Sequence, residues 1–194
     1  MFERGFKSWC ENVAVLQRKN LGCLVTDPLD PMKLAKSLSV NVWQADQVPG
    51  LDKDSLRVLT QDDPSSWSAL TLSLGEKTLI VMNHAHYPTR QASNLMHEIS
   101  HILIGHKGGR VDVTDEGLLM RTNFDKKQEG EADWLAGALL LPRLGLLAAR
   151  SKGWTDNQIA KAYGISEDMV RYRVSMSGVD LQLKRKSQYA RKIS

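Results

Sequence analysis

An α+β fold, a small antiparallel sheet packed on helices, is predicted by three features of the 194-residue sequence. Two apolar runs, Ala69–Leu74 and residues 78–82, flank Gly75-Glu76-Lys77 in the pattern of a hairpin. Two long stretches, about 90–105 and 126–141, read as helices, the first with an apolar stripe and the second halted by Pro142. The first 45 residues are mostly helical in rhythm.

In order, Phe6, Trp9, Val13 and Leu16 mark a first helix. After Asp27-Pro28-Leu29-Asp30-Pro31, the residues Met32, Leu34, Ala35 and Leu38 mark a second, with Asp30 as N-cap and Pro31 in its first turn. Residues 40–43 alternate apolar and polar and suit a short strand. Residues 46–66, rich in Asp, Pro, Gly and Ser, read as surface connection with one helical turn at 53–59. The hairpin follows, then the helix of about 90–105 with Leu95, Ile99, Ile102 and Leu103 as its apolar stripe and Gly105 closing it. Gly108, Gly109 and the acidic stretch 112–116 read as a loop before the second long helix.

A composition of 42% hydrophobic and 25% charged residues excludes disordered, collagen-like and coiled-coil chains and suits one domain plus a small appendage. No apolar run approaches the ~20 residues of a membrane span, and Met1-Phe2-Glu3-Arg4 does not begin a signal segment. A soluble cytoplasmic protein without a membrane partner is expected. Cys10 and Cys23 are too few for a disulfide framework and are read as reduced, semi-buried thiols. Residues 180–194 hold five basic side chains against Asp180 and so account for the whole net charge of +4. This basic tail reads as a solubilising end with at most weak affinity for phosphate backbones.

The chemistry is carried by His97-Glu98-Ile99-Ser100-His101. Histidines four apart on a helix share a face, so both imidazoles can reach one tetrahedral metal ion. Glu98 projects beside them, where it can hold a water at the metal and take its proton. A catalytic zinc needs a third protein ligand and an open position, and the second helix offers Glu129-Gly130-Glu131-Ala132-Asp133. Glu129 and Asp133 share a face. Glu129 is therefore the preferred ligand, with Asp133 accepting the spare N–H of a ligating histidine, His97 first. Glu131 lies roughly 200° round that helix and is the alternative to Glu129, not its companion. His84 and His86 read as loop residues, and His106 as a cation past a helix end.

With these residues the chain resembles the ImmA/IrrE metallopeptidases of bacteria and their mobile elements. The likeness rests on Arg90 ahead of His97-Glu98-Ile99-Ser100-His101-Ile102-Leu103, on the run from Glu129 to Pro142, and on Tyr163-Gly164-Ile165-Ser166 with Val170-Arg171-Tyr172-Arg173, covering about residues 75–178. Asp133 stands where the family often has Asn, and Leu135 where it often has Phe; polar and apolar character are kept. The resemblance implies a zincin-like fold and a Zn²⁺ cofactor. His97, His101 and Glu129 carry over as its ligands and Glu98 as the base. It also implies an activity that cleaves transcriptional repressors of phage, conjugative-element or stress-response genes.

Residues 155–170 place Ala160, Gly164 and Val170 at helix-turn-helix spacing. Arg171, Arg173 and the basic tail would lie on or beyond the second helix, so DNA binding is one reading. A packing module is favoured, because Glu167 and Asp168 occupy the helix start where DNA would be met. Tyr172 is a candidate donor to the oxyanion of a peptidase reaction, if the segment folds back onto the cleft. The expected layout is a zincin-like domain over 1–145, a helix-turn-helix-like segment over 146–180 and a basic tail over 181–194. The function read from these residues is a zinc-dependent endopeptidase, Glu98 activating a zinc-bound water, with a helix-turn-helix repressor as protein substrate. The rival is a non-hydrolytic, zinc-containing transcription regulator that binds a repressor or DNA. Three good ligands rather than four favour catalysis. Manganese or iron could take the same ligands.

Overall fold

In the computed structural model, which describes residues 2–74, 77–106, 111–113, 119–121 and 125–193, the chain opens with helices α1 (Phe6–Asn20) and α2 (Pro31–Ser37). Phe2, Phe6 and Trp9 stack in succession, and Phe2 meets Trp134 edge-on. Asp30 caps α2 by accepting from the N–H groups of Met32 and Lys33, with Pro31 in the first turn as predicted.

Strand β1 (Val40–Gln44) leads through a 3₁₀ turn to the short helix α3 (Lys53–Arg57) and a π turn over Val58–Asp62. Then β2 (Ala69–Leu74) and β3 (Lys77–Met82) pair antiparallel, Ala69 opposite Met82 and Leu74 opposite Lys77. Gly75 and Glu76 of the predicted turn lie outside the described residues. The sheet corrects the antiparallel expectation: its order is β1-β3-β2, and β1 runs parallel to β3 with Val40 beside Thr78 and Gln44 beside Met82. The reason is the excursion over residues 45–68. It carries the chain to the far edge before the hairpin returns β3 alongside β1, where β3 buries Leu79 to Met82 on both faces.

Helix α4 (Pro88–Ile104) begins two residues before its predicted start, because Pro88 supplies the first turn, and ends at Gly105 in the left-handed conformation (φ +80°). The stretch read as a loop holds a two-stranded ribbon, β4 (Val111–Val113) with β5 (Leu119–Arg121). Strands of three residues are too short to show a period. Gly108, Gly109 and residues 114–116 lie outside the described residues.

Helix α5 (Lys126–Leu140) is buried from Trp134 onward on every face and is the centre of the core. Its one side receives α1 through Cys10, Ala14 and Arg18, and its other side receives α4. Arg18 is fully buried, donating to the carbonyls of Asp27 (2.8 Å), Ala14 (3.2 Å) and Leu139 (2.8 Å); burial pushes its pKa down to about 10. Burial raises the Cys10 thiol to about 12, so it stays neutral and unreactive.

Pro142 ends α5, and α6 (Arg143–Ser151), α7 (Asp156–Tyr163), α8 (Glu167–Ser177) and α9 (Val179–Ile193) follow. Thr155 and Gln158 form a capping box on α7, Gly164 (φ +65°) turns the chain, and Ser166 caps α8. Ala160 and Val170 are buried, as their spacing predicts. Arg173 does not offer the basic surface that the less favoured DNA-binding reading needs: it is fully buried, donating from Nε to the Leu141 carbonyl (2.8 Å) and pairing through Nη2 with Glu11. It lies three positions after Val170 and shares its inward face. The segment read as a basic tail is helical to Ile193, anchored by buried Val179 and half-buried Leu183. No single helix among the described residues is long and apolar enough to cross a membrane; the bent pair α5 and α6 meets the composition test because it is core.

Candidate metal centre

The helical period brings His97 and His101 of α4 to one face, their Nε2 atoms 3.0 Å apart. Packing of α4 on α5 brings Glu129 to the same point, its carboxylate oxygens 3.2 Å from His97 Nε2 and 3.7 Å from His101 Nε2. One ligand atom from each of the three falls within 4.8 Å of the others, so the group could hold a metal ion.

The outer nitrogens decide what faces inward. An ionised carboxylate only accepts, so His97 Nδ1 carries the hydrogen that it donates to Asp133 Oδ1 at 2.9 Å, and Nε2, 3.2 Å from Glu129 Oε2, is the nitrogen turned to the centre. His101 Nε2 likewise faces the centre, while its Nδ1 lies 2.9 Å from Nδ1 of His106. Two imidazole Nε2 atoms, each offering a lone pair when its ring is neutral, and a carboxylate thus converge, a donor set suited to a divalent cation of borderline softness such as zinc. At His97, burial pulls the pKa down, but the hydrogen bond and charge of Asp133, with Glu98 and Glu129, outweigh it and leave it raised. A field that favours a proton there also favours a metal cation.

Glu98 is buried on the sheet side of α4, where Oε2 accepts from the Thr71 hydroxyl of β2 at 2.5 Å. Beside it opens a cleft of about 780 Å³ lined by His97, Glu98, Asn94 and the apolar side chains of Leu51, Leu59, Trp67 and Leu70. Its wall is pinned from behind. Asn83 Nδ2 donates to the carbonyls of Leu59, Pro64 and Trp67, and His86 Nε2 donates to the Pro64 carbonyl at 2.8 Å. His86 is thus a buried strut rather than a plain loop residue, and the sequence carried no periodic signal for it.

The remaining predicted residues separate. Arg90 is on the first turn of α4, within 3.4 Å of the Ser68 hydroxyl. Tyr172 lies across Gly137 of α5, where a Cβ would stand 3.1 Å from its ring. Burial first, and the charge of Asp133 second, raise its phenol pKa. It does not line the cleft beside Glu98. Glu131 turns away from the three ligand candidates and pairs with His106 Nε2 at 3.2 Å. The sequence reading of His106, a cation past the helix end, misses this pairing. The signal that finds it is Gly105, whose left-handed turn folds the next residue back, the His106 N–H bonding to the His101 carbonyl at 3.0 Å.

Residues 53–175 match the family model described as the IrrE N-terminal-like domain, peptidase M78. A Mycobacterium tuberculosis transcriptional regulator is among the solved structures matched, with a TM-score of 0.49 and 14% identity over 90% of this chain and 48% of that one. The chain thus spans about half the length of that structure. No curated protein sequence matches the chain.

Proposed function

The chain belongs to the IrrE N-terminal-like domain family of peptidases, and from that premise we propose that it is a zinc-dependent endopeptidase whose substrate is a transcriptional repressor. One juxtaposition supports this reading most: His97, His101 and Glu129 meet beside a buried Glu98 that borders an apolar cleft. When bound, zinc would polarise a scissile carbonyl and lower the pKa of water next to it.

The protein's own groups do the rest. His97, His101 and Glu129 hold the metal, and Asp133 fixes the His97 ring. Glu98 takes a proton from the attacking water and delivers it to the leaving amine. The Thr71 hydroxyl holds one oxygen of that carboxylate and leaves the other for the water. Strand β2 is an edge strand of the β1-β3-β2 sheet, so an extended segment of substrate pairs along it and sets apolar side chains against Leu51, Leu59, Trp67 and Leu70. Tyr172 is the proposed oxyanion donor; its ring packs on Gly137 of α5, the helix that carries Glu129 and Asp133.

In this reading residues 1–145 form a zincin-like unit and residues 146–180 a helix-turn-helix-like module that packs on it. Arg173 is spent on Glu11, and Arg171 is held by Asp168 (2.6 Å) and Glu167 (3.6 Å), which supports packing over DNA contact. Such a substrate places the reaction in the cytoplasm.

The test is co-expression with the repressor encoded nearest the gene, for wild type and Glu98→Gln, read by intact mass spectrometry. Repressor fragments are expected with wild type alone, turnover by Glu98→Gln falling at least about 100-fold at unchanged metal content. Intact repressor co-purifying with both proteins would favour a non-hydrolytic regulator instead.

A further inference from the structure

Helix α5 carries three acidic residues at alternate positions, Glu129, Glu131 and Asp133. Glu129 faces the two Nε2 atoms and Asp133 accepts from His97 Nδ1. Glu131 is on the opposite side of the helix, out of reach of His101. The gap is bridged by His106, whose Nδ1 lies 2.9 Å from His101 Nδ1 and whose Nε2 lies 3.2 Å from Glu131 Oε2. Both bridging side chains are almost fully enclosed, His106 being 7% exposed and Glu131 12%. Lys127 Nζ stands 3.7 Å from the other Glu131 oxygen.

With neutral rings, the hydrogens along this path follow from the Glu131 end. Glu131 accepts, so His106 Nε2 is the N–H; His106 Nδ1 then holds a lone pair and accepts from His101 Nδ1–H; His101 Nε2 is the nitrogen turned towards Glu129. We propose that His106 and Glu131 are positioning residues, a two-imidazole relay that fixes the tautomer and ring orientation of His101 as Asp133 fixes those of His97. This inference rests on the metal-centre reading above. Its structural basis is the Gly105 turn, which aims His106 back over His101 instead of into solvent.

The experiment reads two quantities on the full chain. Zinc affinity, by competition with a chromogenic chelator, should weaken about 10–100-fold in His106→Leu. It should weaken much less in His106→Asn, whose Oδ1 keeps an acceptor near the Nδ1 position. In the metal-free protein, long-range ¹H–¹⁵N NMR of the imidazoles should show His101 as the Nδ1–H tautomer in wild type and as a mixture in His106→Leu. Should His106→Leu fail to fold by circular dichroism, Glu131→Met, which removes the final acceptor, should shift the same two readouts in the same direction. An affinity within about threefold of wild type, with the His101 tautomer unchanged, would overturn the relay. Absence of zinc binding in wild type would instead sink the metal-centre reading, and the tautomer measurement would still decide the relay.

Discussion

Glu98 shows how much a single neighbouring hydroxyl decides about a carboxylate. Thr71 Oγ1 at 2.5 Å restrains one oxygen of a buried acid, and a hydrogen bond to a charged group is worth about 1.5–3 kcal/mol. Thr71→Val should therefore lower kcat by about tenfold or more at unchanged KM and metal content, and Thr71→Ser should restore it; steady-state kinetics on a cleaved repressor peptide checks both. Tyr172→Phe should lower turnover at least about tenfold with metal content intact, and equal turnover would remove Tyr172 from the chemistry. At this scale the shared face of His97 and His101 and that of Glu129 and Asp133 were legible in the sequence, because each pair is one helical turn apart; the meeting of Glu129 with the histidines depends on the packing of α4 on α5. His106 and Glu131 were not, because they are joined only across two segments whose approach no spacing encodes.

Between elements, glycines mark where helices come closest. A Cβ at Gly145 would overlap the Tyr163 hydroxyl, and Tyr163 is itself held by donating to the Thr26 carbonyl at 2.6 Å. The ring cannot yield without losing that bond. Gly145→Ala should thus destabilise the protein by about 1–3 kcal/mol despite the better helix propensity of alanine, as a lowered midpoint in urea would show. The long helices and the hairpin were legible because each repeats its period over several residues. The β4–β5 ribbon has too few residues to repeat, and the direction of β1 against β3 depends on the route of residues 45–68 rather than on the strand itself.

Across the whole molecule, one buried ion pair ties the two ends of the chain to its centre. Arg173 of α8 reaches Glu11 of α1, whose other carboxylate oxygen accepts from the Arg143 N–H at 2.8 Å, while Arg173 Nε holds the Leu141 carbonyl at the end of α5. Glu11→Gln keeps the shape and leaves a fully buried guanidinium without its anion. It should cost about 3 kcal/mol, the lower end for a broken buried pair because a quarter of the Glu11 side chain meets solvent; denaturant titration measures it. The sequence by itself determined the helices, the hairpin and the family, and it set His97 with His101 and Glu129 with Asp133 each on one helix face, since these rest on periodicity, spacing and motif. Only the tertiary structure decided that β1 runs parallel to β3, that Arg173 faces the core, and that Glu131 serves His101 through His106. Each of those depends on which distant segments pack together, and the free energy of that packing is spread over many contacts that leave no local pattern.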